Sequence, residues 1–202
     1  MGQRLVVTVW DREEDDTPIA KIYYHWSAYT ISALSEINKI IEALQGHEDD
    51  TRKENIMRLI RMCEKNGGGI DGGLNSEEGK YIRSLYPNYE FSEDISRSYG
   101  LIAITENGMN DMQKWSEGDV DIYIKDKHVN NYVIGFVADS YEEFKGLLEE
   151  DGCDEVKEED IVELNYDICS FDFDDIKAVD NEYTLAGCPD FFKHAGMIYE
   201  AV

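Results

Sequence analysis

The chain reads as an α+β protein. Two observations point that way: β-branched and aromatic strand patterns stand at the start and again after residue 100, and strongly amphipathic helical spacings fill the interval between them. A doubly wound sheet would instead need regular strand-helix alternation. The run Leu5 to Trp10 (LVVTVW) is strand-like, the acidic stretch from Asp11 to Pro18 interrupts it, and Ile19 to Trp26 resumes extended character, which predicts an opening β-hairpin. Ile31, Leu34, Ile37, Ile40, Ile41 and Leu44 recur at spacings of three and four with Gly46 just beyond, the pattern of an amphipathic helix with its stop signal. A second helix starts at Asp50 or Thr51, carries Ile56, Met57, Ile60 and Cys63 on one face, and ends at Asn66.

The glycine-rich segment Gly67 to Gly73 (GGGIDGG) is predicted as a loop, followed by a short helix from a Ser76 cap to Leu85 that must end before Pro87. Strands are then expected at Leu101 to Thr105, Val120 to Lys125 and Tyr132 to Ala138, assembling an antiparallel sheet, with a turn or helical insert around Met109 to Trp115. Ser140 caps a predicted helix from Tyr141 to Glu150. Ile161 to Phe173 alternates as strand, and Met197 to Val202 adds a final one. The glycine segment is the natural divide between an N-terminal hairpin-plus-helices unit, residues 1–66, and a sheet-containing acidic part, residues 74–202, unless residues 1–202 form one domain.

Charge is the unusual property. The 202 residues hold 44 acidic and 19 basic side chains, a formal net charge of −25. Such a total opposes direct binding of nucleic acid, anionic membrane or free nucleotide, since every approach meets like charge. It is also uneven: from Asp139 to Glu182 there are 18 acidic residues against three lysines, a net −15 in 44 residues. Halophilic proteins spread their acid over the whole surface, and solvating tails lack apolar residues. This stretch is interleaved with Phe144, Leu147, Leu148, Ile161, Val162, Leu164, Phe171 and Phe173, which predicts a folded acidic face.

If Tyr166 to Asp174 is a strand, Asp172 and Asp174 share one side about 6.5–7 Å apart. That is comparable to the spacing of successive phosphates along a nucleic-acid strand. Asp167 and Asp175 fall on the other side. Upstream, Glu149, Glu150, Asp151, Asp154, Glu155, Glu158, Glu159 and Asp160 add carboxylates at helix-end or turn spacing. Duplex DNA carries one negative charge per ~1.7 Å of axis, a density such a face approaches over part of a turn. These twelve carboxylates are the expected partner-binding residues, and the expected partner is a basic nucleic-acid-binding protein. Tyr23, Tyr24, Trp26 and Tyr29 are candidate interface anchors, though such residues more often simply fill the sheet and core.

Motifs for catalysis or cofactors are missing at the residue level. The P-loop pattern fails because Gly79-Lys80 is followed by Tyr81 and Leu74 stands where the first glycine belongs. Asp119 and Asp121 open an EF-hand spacing, but Tyr123 and Ile124 occupy its fifth and sixth positions. His25, His47, His128 and His194 are scattered, and Cys63, Cys153, Cys169 and Cys188 form no CxxC pair, so they read as reduced thiols and not as a zinc or disulfide framework. No cofactor is expected, and binding is favoured over catalysis. The start of the chain has no signal-peptide pattern and no window has the length of a membrane span, which predicts a cytoplasmic protein.

The opening GQRLVVTVW with KIYYHWSAYT, and GLIAITENGMNDMQKWSEG from Gly100 to Gly118, resemble uncharacterised acidic proteins of Gram-positive phages and mobile elements over the first two-thirds of the chain. In charge and size the chain is also similar to phage anti-restriction and anti-CRISPR inhibitors, some of which mimic DNA. The resemblance implies an inhibitor of a host defence system working in the bacterial cytoplasm, with the acidic face in the basic groove of a CRISPR effector or restriction enzyme, and brings no catalytic residues. The alternatives are a metal-dependent carboxylate enzyme, or a sponge for a signalling nucleotide with its site in the less acidic first half, near the Gly67 to Gly73 loop.

Overall fold

A computed structural model describes residues 4–28, 30–93, 95–131 and 169–173. The elements are β1 (Leu5–Trp10), β2 (Ala20–Tyr24), α1 (Thr30–Leu44), α2 (Arg52–Lys65), β3 (Gly69–Ile70), α3 (Glu77–Leu85), β4 (Leu101–Ala103), α4 (Glu106–Gln113), β5 (Gly118–Tyr123), β6 (His128–Asn131) and β7 (Cys169–Asp172). The protein is α+β, as its patterning predicts.

The strands join one sheet in the order β3-β4-β2-β1-β5-β6-β7. The opening hairpin is present, Leu5 facing Tyr24 and Val9 facing Ala20. The sheet is mixed where an antiparallel one was expected: β1 runs parallel to β5 and β3 runs parallel to β4. Parallel neighbours require crossover connections, which α3 supplies between β3 and β4. With β1 paired to β2 on one side and β5 on the other, the sheet draws on residues from both sides of the glycine segment.

β1 lies at the centre with Leu5, Val6, Val7 and Val9 fully buried, which is why its sequence is a continuous apolar run and not an alternation. One face of the sheet packs on α1 and α2. Leu5, Val7, Val9, Ile22, Tyr24, Ile102, Val120 and Ile122 meet Ile37, Ile40, Ile41 and Leu44 of α1 and Ile56, Leu59, Ile60 and Cys63 of α2 in the main core. The other face is covered at one end by α4, through a smaller cluster of Leu101, Ala103, Met109 and Met112.

Local signals account for the helix ends. Thr51 and Glu54 form a reciprocal capping box that starts α2. Ser76 and Thr105 accept N–H groups at the starts of α3 and α4. Gly46, at φ +79°, follows α1.

Four expectations are corrected. The buried stripe of α2 contains Leu59 and not Met57, because positions 56, 59, 60 and 63 complete the i, i+3, i+4, i+7 spacing and leave Met57 half-exposed. The glycine segment is not only a loop: Gly69–Ile70 forms β3 beside β4. Thr105 leaves the expected strand to cap α4. β6, with Val129 as its only apolar residue, has too weak a pattern to be read in advance, and Lys127 at φ +53° lies in the turn that precedes it. The strand expected at 132–138, the helix at 141–150 and the strand at 197–202 lie outside the described residues.

Candidate functional site

Strand register places residues of the second sheet face in three rows. One runs Leu101, Tyr23, Val6, Asp119. The next runs Ala103, Lys21, Thr8, Asp121, Asn130, Ser170, and the third runs Trp10, Tyr123, His128, Asp172. α4 lies against the β4–β2 end of these rows, and a cleft opens there between α4, the start of β1 and the backbone around residues 69–71 and 97–101.

The cleft has a volume of about 330 Å³ and is lined by Arg4, Tyr23, His25, Asp71, Arg97, Asp111 and Trp115, with Leu101 and Met112. Arg4 is held by Glu117: their side chains meet at 2.6 Å, Glu117 also accepts the Arg4 backbone N–H at 2.9 Å, and this bonding holds the Glu117 carboxyl below its ordinary range. The guanidinium stands 5.7 Å from the Trp115 ring centroid. Trp115 itself is 60% exposed. Tyr23 Oη and His25 Nδ1 lie 2.8 Å apart, and burial raises the Tyr23 phenol. His25 packs edge-on against Trp26, which is 52% exposed, and Arg97 begins the 3₁₀ turn that ends at Tyr99, 55% exposed. Burial also raises the Asp71 carboxyl.

The glycines explain how Asp71 and Arg97 come together. An added Cβ on Gly68 would sit 1.9 Å from the Gly100 carbonyl oxygen. Gly69 donates to that oxygen at 3.0 Å, Asp71 donates to Ile102 O at 2.9 Å, and Ser96 donates to Gly67 O at 2.9 Å. The segment thus serves close backbone approach to residues 96–102.

A second polar cluster occupies the middle of the same sheet face. Lys21 Nζ donates to Gln113 Oε1, and Gln113 Nε2 and Ser116 Oγ donate to Asp119 Oδ1 at 2.7 and 2.8 Å. Trp10 Nε1 donates to Asp121 Oδ1 at 2.7 Å. Burial raises the Asp121 carboxyl against the opposing Trp10 bond, and burial lowers the Lys21 ammonium against the attraction of Asp119 and Asp121. Asp119 and Asp121 therefore belong to a strand and its helix contact, not to a calcium loop. Trp10, Tyr123 and His128 form a stacked row, with centroids 6.4 and 6.2 Å apart. Among the described residues no group of three or more His, Cys, Asp or Glu side chains is arranged to hold a metal ion.

Of the twelve carboxylates expected to bind a partner, Asp172 is described: it ends β7, opposite His128. Glu149, Glu150, Asp151, Asp154, Glu155, Glu158, Glu159, Asp160, Asp167, Asp174 and Asp175 lie outside the described residues. Phe173, next to Asp172, is buried in the main core. Cys63 is buried and its thiol is pushed up by burial, so it holds little thiolate. Among the interface candidates, Tyr24 is a fully buried core residue and Trp26 is exposed beside the cleft.

Tyr23 lines the cleft and is one of the interface candidates, whereas Arg4, Asp71, Arg97 and Trp115 share no local spacing that would single them out in the sequence. No helix among the described residues is long and apolar enough to cross a membrane. No protein-family model, curated protein or solved structure matches the chain.

Proposed function

We propose that the protein is a non-enzymatic inhibitor, encoded by a phage against a host defence system, whose acidic C-terminal part occupies the basic groove of a nucleic-acid-binding protein such as a CRISPR effector or restriction enzyme. The observation that carries the reading is how charge and anchoring coincide. Residues 1–131 hold 24 acidic and 15 basic side chains, a net −9, whereas residues 132–202 hold 20 and 4, a net −16. Within that second part, Cys169–Asp172 is paired to the sheet as β7 and Phe173 enters the core. The described residues of the acidic part thus pair with the sheet and enter the core, which a solvating tail would not do.

The test is competition. Purified protein should displace DNA from a CRISPR effector or restriction enzyme, with potency falling steeply as salt rises. Reversing charge at 149–160 and at Asp172, Asp174 and Asp175 should abolish displacement while the circular dichroism spectrum is kept. Displacement that survives both reversals would remove the mimicry.

The cleft favours a second reading, a sponge for a small anionic aromatic ligand of the nucleotide class. Arg4 and Arg97 supply guanidinium groups, Trp115 supplies an exposed ring, and Asp71 comes from the Gly67 to Gly73 segment. Calorimetric titration with cyclic dinucleotides tests it. Saturable binding lost in Arg97→Glu supports the sponge, and no heat at saturating ligand rejects it.

A further inference from the structure

On the helical side of the molecule, away from both clusters described above, a groove of about 430 Å³ lies between α1 and α2. Its charged lining is Lys39 and Glu42 from α1 and Arg58, Arg61 and Lys65 from α2. Four cations against one carboxylate make this lining net positive in a chain of net charge −25. The helix geometry produces it directly. Positions 58, 61 and 65 stand at i, i+3 and i+7 on one face, so the three cations form a stripe about 10 Å long. Lys39 faces the stripe from α1, and the short side chain of Ala43 leaves the space between them open.

Two of the four cations are held in place by carboxylates. Arg58 Nη2 lies 2.5 Å from Asp50, and Lys39 Nζ lies 3.0 Å from Glu36. The Arg61 guanidinium stands 5.4 Å from the Tyr89 ring centroid, a contact that orients it without neutralising it. Arg61 and Lys65 are exposed and have no carboxylate partner among the described residues. The groove therefore combines two cations held by carboxylates with two, Arg61 against Tyr89 and Lys65, that no carboxylate among the described residues holds.

We propose that this groove binds linked phosphates, two or three in a row, as presented by a polyphosphate or by a short stretch of single-stranded nucleic acid. A stripe of about 10 Å spans two to three phosphates of a nucleic-acid strand, accommodates the more closely spaced phosphates of a polyphosphate, and is longer than a single phosphate needs. The volume is within the range of small-ligand sites. Total charge is a poor guide to this surface. At physiological ionic strength the field of the remaining acid is screened beyond about 8 Å, so the groups that line the groove decide contact.

The experiment is calorimetric or anisotropy titration of the full-length protein with tripolyphosphate and, separately, with a short single-stranded oligonucleotide, at low and physiological salt. The variant is Arg61→Gln with Lys65→Gln. A charge-matched control is Lys80→Gln with Lys114→Gln, whose ammonium groups pair with Glu77 and Asp111 outside the groove. Saturable binding should fall at least about tenfold in the groove variant and stay unchanged in the control. Oligonucleotide binding should weaken with log salt at a slope of about −1.5 to −2, the value for two to three phosphate contacts. Tighter binding of tripolyphosphate points to free linked phosphates, and tighter binding of the oligonucleotide points to a nucleic-acid backbone. Failure of both ligands to saturate, or equal loss in the groove variant and the control, overturns the proposal and leaves the competition test of the acidic part unaffected.

Discussion

The Glu78 carboxylate of α3 accepts the backbone N–H of Ile104 at 2.6 Å. It also accepts the Thr105 N–H at 3.2 Å and the Thr105 hydroxyl, so one buried side chain ties α3 to the end of β4 and the start of α4. Gly108 leaves room for this carboxylate, since an added Cβ would fall 2.5 Å from Glu78 Oε2. Glu78→Ala strands several donors at once and should cost about 2–4 kcal/mol in urea unfolding. Glu78→Gln should cost less, because one oxygen still accepts.

Gly68→Ala should destabilise by about 3 kcal/mol or more. The added methyl meets the Gly100 carbonyl at 1.9 Å, and a backbone atom cannot swing aside as a side-chain tip does. Chemical denaturation checks the magnitude. A cost under about 1 kcal/mol would mean that the two glycine segments are not in this contact.

Asn55 of α2 is fully buried, and neither its Oδ1 nor its Nδ2 finds a hydrogen-bond partner among the described residues. Replacing it by the similarly sized leucine removes an unmet desolvation cost, so Asn55→Leu should raise stability by about 1 kcal/mol. A lower melting temperature in this variant would refute the expectation.

Stability should peak on the acidic side of neutrality. Burial raises the carboxyls of Glu36, Asp71 and Asp121, so the folded state takes up protons there more readily than the unfolded one and gains stability as pH falls through those folded values. Hydrogen bonds from Arg58, Thr51 and Arg4 depress Asp50, Glu54 and Glu117. Their contribution is present above the ordinary carboxylate range and lost as pH falls through the depressed values. Melting temperature should therefore rise as pH falls from neutrality toward the ordinary carboxylate range and drop once pH passes below it. Asp121→Asn should flatten the rise, and a monotonic profile would contradict the assignment.

Elements with strong local signals are legible in the sequence. The hairpin of Leu5–Trp10 with Ala20–Tyr24, the stripe of α1, the start of α2 at Asp50 or Thr51 and the Ser76 cap all follow from spacing and capping chemistry that act within a few residues. β3 and β6 were not legible. Gly69–Ile70 has two residues and one side chain, and His128–Asn131 has a single apolar residue, so pairing partners and not propensity hold them extended. The parallel β1–β5 pair was hidden for a related reason: register between strands over a hundred residues apart leaves no trace in either strand alone.

The sequence by itself determined the α+β class, the first three helices and the division of charge, because propensity, capping and composition are local or additive. Only the tertiary structure decided which charges stand together. It brought Arg4, Asp71, Arg97 and Trp115 into one cleft, set Lys39 opposite the Arg58, Arg61 and Lys65 stripe, and seated Phe173 in the core. Electrostatic interaction in water is screened beyond about 8 Å at physiological ionic strength, so function at a surface depends on neighbours in space, and a total of −25 does not reveal that four of the five charged residues lining one groove are basic.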